Sequence, residues 1–117
     1  MSIILPLGPK KSDRDTMFDI EWIKNKIRNV EEYFSRHGEQ ERQKDNLTIA
    51  EVRESLINGR ILEQYSDTGR GESCLVVGFT DGGKPIHIVC GERKEKLAII
   101  TVYIPSPPKF KNPYERG

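Results

Sequence analysis

The feature that most limits how this chain can fold is a change of apolar period at Gly59. Before it, apolar residues recur at helical spacing. After it, β-branched residues gather in short runs that alternate or stay apolar throughout. The break separates a helical half from a sheet half. In the first half, Asp19 can cap a helix in which Ile20, Ile23, Ile27 and Val30 form one stripe beside Trp22. Residues 31–45 read as a short extended entry and then a helix from about His37, with Gly38 an unfavourable helix residue. Thr48-Ile49-Ala50-Glu51 is a capping box. It opens a helix that buries Ile49, Val52 and Leu56 and ends at Asn58-Gly59, two residues that tolerate the left-handed conformation.

The second half predicts strands over 60–65, 73–80, 84–91 and 97–104, rich in Val, Ile and Thr. Asp81-Gly82-Gly83 is a strong hairpin signal, and the charged run 92–96 a weaker one. Pro105, Pro107, Pro108 and Pro113 should stop the sheet and keep the tail extended. The expectation is a single α+β domain over 18–106, with two to three amino-terminal helices packed on an antiparallel sheet of about four strands. A mobile tail over 1–17 precedes it, and a basic, proline-containing tail over 107–117 follows.

A chain of 117 residues, 35% of them apolar, supports one modest core, which leaves room for a dimer or another partner to cover remaining apolar surface. The total charge of +1 is unevenly spread: residues 84–117 carry seven Lys or Arg against three Glu. Such a basic third can steer toward phosphates, although a solvated charged face is the commoner meaning. No run approaches the length of a membrane-spanning helix, and the first residues lack the basic region and cleavage site of a signal peptide. Two cysteines make no disulfide framework, so a reducing cytoplasm is the expected compartment.

Cys74 and Cys90 lie about equally far from Gly82 and should face each other across the hairpin. Two buried apolar thiols is the favoured meaning, with a disulfide or half of a metal site as the others. His87 lies three residues from Cys90 and therefore points to the opposite face, which argues against a Cys-His pair from this strand. No metal and no cofactor are expected. His87 and His37 are the only histidines, the usual acid–base side chains near neutral pH. Arg36, Arg42, Arg60 and Arg70 lie before or around the first predicted strand, with Tyr65 at its end and Tyr103 in the last. Arginine can hold a phosphate through two hydrogen bonds, and tyrosine can stack on a base or move a proton.

The run Ser35-Arg36-His37-Gly38-Glu39-Gln40-Glu41-Arg42, then Leu47–Val52, Asn58–Tyr65, Ser73–Gly78, Gly83–Val89 and Ile100–Pro105, resembles the family of domain of unknown function 4258 over roughly residues 20–106. Gly38 departs from the alanine usual in that family. The family is in turn similar to RelE-like toxins, with helices first and a curved antiparallel sheet after. Its genes often sit beside zinc-finger antitoxins of the YgiT/MqsA type. The resemblance implies a toxin that cleaves mRNA without a metal, neutralised by a zinc-finger antitoxin. It makes His87, Tyr103, Arg42, Arg60 and His37 candidates for catalysis. Tyr65, Arg70, Lys84, Lys109, Lys111 and Arg116 become candidates for RNA contact. The competing expectation is a non-catalytic module that binds a protein partner.

Overall fold

The computed structural model describes residues 18–67, 69, 71–107 and 110–116. The expected tail over 1–17 lies outside the described residues. So do the candidates Arg70 and Lys109 and the side chains of Lys111 and Arg116.

Among the described residues three helices, α1 (Ile20–Arg28), α2 (Arg36–Lys44) and α3 (Ile49–Ile57), accompany a five-stranded sheet made of β1 (Glu32–Phe34), β2 (Arg60–Tyr65), β3 (Ser73–Phe79), β4 (Pro85–Arg93) and β5 (Lys96–Tyr103). The spatial order is β1-β5-β4-β3-β2. The four long strands are antiparallel neighbours, as expected. The sheet is nevertheless mixed, because β1 adds a fifth strand parallel to β5, pairing Glu32–Phe34 with Leu97–Ile99. The short extended entry expected here is this strand, but its parallel pairing with a partner in the last third of the chain leaves no local signal.

Each helix begins on the residue that chemistry favours. Asp19 accepts from the Glu21 amide and caps α1, Ser35 accepts from the Gly38 amide and caps α2, and the box of Thr48 and Glu51 closes at α3. Helix α2 therefore starts at Arg36, one residue earlier than the sequence suggested. The exits differ more. Val30 adopts a left-handed φ of 56°, while Glu31 N donates to Lys26 O and Val30 N to Ile27 O. These bonds form a Schellman ending that lifts Val30 out of the helical stripe and leaves it 72% exposed. Ile49 is also exposed, at 48%, because it occupies the first turn of α3 before that helix reaches the sheet. Asn58 and Gly59 do not take the left-handed conformation.

The core lies between the helices and one sheet face. It joins Trp22, Ile23 and Ile27 of α1 and Val52 and Leu56 of α3 to Cys74, Val76, Ile86, Ile88, Cys90, Leu97, Ile99 and Val102. Cys74 pairs directly with Cys90, as the spacing about Gly82 required, and both are buried free thiols. A hydrogen bond to Cys74 and burial push the Cys90 thiol well above its ordinary value, so it stays neutral and unreactive.

Helix α2 packs on the sheet's edge. Where β1 stops, Ser35 N donates to Ile99 O and Ser35 Oγ to Ile100 O, and farther along Asp45 Oδ2 accepts from Ile104 N. A Cβ on Gly38 would lie 2.4 Å from Ile99 O. The residue that weakens this helix by propensity is thus the one that lets it lie against β5.

On the outer side of α2, Arg42 donates to both carboxylate oxygens of Glu39, and Gln43 Nε2 also donates to it. The Arg42 bonds, then that from Gln43, hold the Glu39 carboxylate at about 2, down from 4.5. A depressed folded value means that Glu39 stabilises above the ordinary value and loses that contribution as pH falls toward about 2. Urea midpoints measured across that range should fall for the wild type. Glu39→Gln should flatten this part of the acid limb and show a lower midpoint at neutral pH.

The chain beyond Tyr103 does not stay extended. Phe110–Asn112 and Glu115–Arg116 pair as β6 and β7. Asn112 Oδ1 accepts from the Tyr114 and Glu115 amides, which makes the Asn-Pro step a turn.

Candidate functional site

Strand alternation gives the sheet a second face, away from the helices. The register sets Arg60 of β2 opposite Val77 of β3, Val77 opposite His87 of β4, and His87 opposite Tyr103 of β5. These four side chains form one row across the sheet on that face. His87 is opposite in direction to Cys74 and Cys90, as expected.

A β-bulge completes the row. A regular hairpin closed at Lys94-Glu95 would set His87 opposite Val102. Register shifts between Val89 and Cys90, so that Cys90 faces Ile99, Val89 faces Thr101 and Ile100 is the extra residue. The shift turns Val102 into the core and brings Tyr103 beside His87. The Ile100 carbonyl is the one that Ser35 Oγ binds, so α2 rests on the bulge.

His87 is fully buried. Its Nε2 lies 2.7 Å from the Pro113 carbonyl oxygen and its Nδ1 3.2 Å from the Tyr103 hydroxyl. A carbonyl only accepts, so Nε2 carries a proton and donates it. In the neutral ring Nδ1 then accepts from the Tyr103 hydroxyl. The two rings meet edge to face with centroids 5.2 Å apart. Tyr103 is half-buried, so its hydroxyl is the outer member of a relay that runs Tyr103, His87, Pro113 carbonyl.

The β6–β7 hairpin covers the other end of the row. Tyr114 packs on Phe79, with centroids 6.2 Å apart, and the exposed Arg60 guanidinium carbon lies 4.4 Å from the Tyr114 ring centre. Phe79, Pro113 and Tyr114 were not among the sequence candidates. The Asn-Pro turn signal in the tail was their one trace.

The remaining candidates lie elsewhere. Arg42 donates to Glu39 and to Leu47 O, 2.7 Å away, and lies over the Phe34 ring. His37 is exposed in the first turn of α2. Lys84 pairs with Glu51 at 2.9 Å and ties the β3–β4 turn to α3. Tyr65, at the end of β2, donates to Glu63 on its own strand. The row thus brings together Arg60, His87 and Tyr103, and not Arg42, His37 or Lys84.

These features define an α+β domain with a helical layer on one sheet face and a histidine–tyrosine relay on the other. The chain belongs to the DUF4258 family, described as Domain of unknown function (DUF4258), which matches residues 34–104. The match begins at Phe34, beside the α2 cap, and ends just after Tyr103, so it contains the bulge and the row. No curated protein and no solved structure matches the chain. No helix among the described residues is long and apolar enough to cross a membrane.

Proposed function

We propose that this domain is a metal-independent endoribonuclease of the toxin type, acting on mRNA and neutralised by a zinc-finger antitoxin that covers the same face. The observation that supports it is the relay from Tyr103 through His87 to the Pro113 carbonyl, in a row with a cationic side chain.

In this reading Tyr103 is the group that meets the ribose. It passes its proton to His87 Nδ1 as it accepts one from the 2′-hydroxyl. The 2′-oxygen attacks the adjacent phosphorus, the bond to the 5′-oxygen breaks, and a cyclic phosphate forms. The departing 5′-oxygen takes back a proton from Tyr103, which is restored by His87. His87, fully enclosed, is a positioning and proton-holding residue. Arg60 stabilises charge on the phosphorane. Lys109, Lys111 and Arg116 hold the RNA backbone, with Tyr65 and Arg70 as further contacts. Arg42 and Lys84 fit structural duties better than chemistry, and the exposed His37 lies outside the row.

Purified protein should cleave RNA, alone or on ribosomes, and arrest growth when expressed. Tyr103→Phe keeps the ring and removes the hydroxyl. It should slow cleavage at least ~100-fold, the lower end of acid–base contributions, while the melt falls only by the loss of the donor to His87 Nδ1 and the protein stays folded. Absence of both cleavage and growth arrest, with or without ribosomes, would sink the reading.

A second reading is a non-catalytic protein-binding module. It is favoured by an apolar groove of about 560 Å³ beside the exposed Ile49, lined also by Ile27, Ala50 and Ile57. Under it, Ile49→Glu abolishes partner capture and Tyr103→Phe changes nothing.

A further inference from the structure

At the far end of the His87 face, a cleft of about 610 Å³ is lined by Tyr33, Arg93, Lys94 and Lys96. Tyr33 lies on β1 opposite Ala98 and is 42% exposed. Arg93 and Lys96 are direct partners that close the β4–β5 hairpin, and Lys94 sits in its turn.

The Arg93 charge of this cleft is held in place rather than neutralised. Arg93 donates to the carbonyls of Glu72 at 2.9 Å and Glu92 at 2.7 Å, which fixes its guanidinium against neutral oxygens. Among the described residues neither Lys94 nor Lys96 has an ion-pair partner. The adjacent Lys26 is already engaged, with Glu31 at 3.3 Å and with the Glu95 carbonyl at 2.7 Å. A half-exposed tyrosine ring beside two unpaired ammonium groups suits a ligand with a flat ring and a phosphate. An acidic peptide would use the lysines and waste the ring.

We infer that this cleft binds a nucleotide unit of single-stranded RNA, with the base on Tyr33 and the flanking phosphates on Lys94 and Lys96. The inference rests on the RNA reading above and adds an anchoring site to it. Along β5, taking about 3.4 Å per residue, Ala98 opposite Tyr33 lies ~17 Å and Lys96 ~24 Å from Tyr103. A short oligonucleotide bridges that separation.

The test is fluorescence anisotropy of a labelled oligouridylate titrated with the full chain at several salt concentrations. Lys94→Gln with Lys96→Gln should weaken binding tenfold or more at low salt. It should also make the plot of log K against log salt shallower by about 1.4, the counterion release of two single-strand phosphates. Tyr33→Leu should weaken binding at least ~5-fold, as loss of one base stack does, and leave the slope unchanged. Thermal melts confirm that the variants are folded.

Wild-type affinity and slope in the double variant overturn the inference, as does competition by polyglutamate as effective as that by RNA. If RNA is cleaved while the double variant binds normally, the inference fails and the nuclease reading survives. If the variant loses binding while no protein cleaves, the anchoring site stands without the nuclease.

Discussion

Gly78→Ala should lower the melting temperature by ~10–20 °C, the largest effect of any single methyl group in this domain. A Cβ at Gly78 would lie 1.8 Å from the carbonyl oxygen of Ser55 and 2.6 Å from its carbonyl carbon. Both are backbone atoms of α3, so no rotamer change relieves the overlap. The same carbonyl is bounded on its other side by Gly59, whose Cβ would lie 2.7 Å from it. Helix α3 therefore meets β3 backbone to backbone. Making room means lifting the helix and loosening Val52 and Leu56, which are wholly buried against the sheet. Overpacking of this kind costs about 3 kcal/mol, a large share of the roughly 5–15 kcal/mol that holds a domain together. The melting shift follows from the ~4–8 °C per kcal/mol typical of small domains. Gly82→Ala is the control. A Cβ there meets only the Thr80 hydroxyl at 3.8 Å, and its melt should match the wild type within a few degrees. Equal melts for the two variants would refute the close approach of α3 and β3.

His87→Ala should destabilise by about 3 kcal/mol, with damage concentrated at the carboxy terminus. The substitution empties a wholly enclosed position and removes the donor to the Pro113 carbonyl at 2.7 Å. Large-to-small core changes and the loss of a partner for a buried acceptor each cost about 1–3 kcal/mol or more. Hydrogen exchange of the β6–β7 amides should quicken more than that of β3 and β4. His87→Gln can still donate toward Pro113 and should recover part of the loss. Uniform quickening across the sheet would mean that His87 does not hold the hairpin. The experiment has a bearing on function. Loss of toxicity in His87→Ala follows equally from lost chemistry and from a loosened fold. The same holds for Arg42→Ala, since Arg42 binds Glu39 and the Leu47 carbonyl. Tyr103→Phe separates the two causes better, because it removes one hydroxyl and keeps the His87 ring with its bond to the Pro113 carbonyl.

The parts of this fold that were legible in the sequence are those with local causes. The capping box, the break at Gly59 and the symmetric spacing of Cys74 and Cys90 about Gly82 each state their geometry within a short stretch. The extended entry at Glu32-Tyr33-Phe34 was legible, but its place in the sheet was not, because that depends on Leu97–Ile99 far along the chain. Val30 and Ile49 fit the helical period and are exposed, since period says nothing about where a helix ends or first meets the sheet. Gly38 and Gly78 read as weaknesses or as nothing, and their use depends on a neighbour distant in the chain. For the site, the two faces of β4 followed from alternation. The pairing of His87 with Tyr103 did not, because it depends on one extra residue at Ile100. The role of Pro113 and Tyr114 required the tail to return to the sheet.

Strand β1 also sets the order in which this molecule can be assembled. The β2–β5 meander closes through short connections and can form early. Residues 32–34 are made long before β5, the strand they pair with, and α2 has no edge to lie on until β5 is in place. Pairings so distant in the chain carry the largest loop-closure cost and form late. On the ribosome, then, the amino-terminal third must wait, and α2 settles on the bulge at Ile100 only in the last steps of folding. In the nascent chain the β5 edge therefore stays open until β1 returns to it.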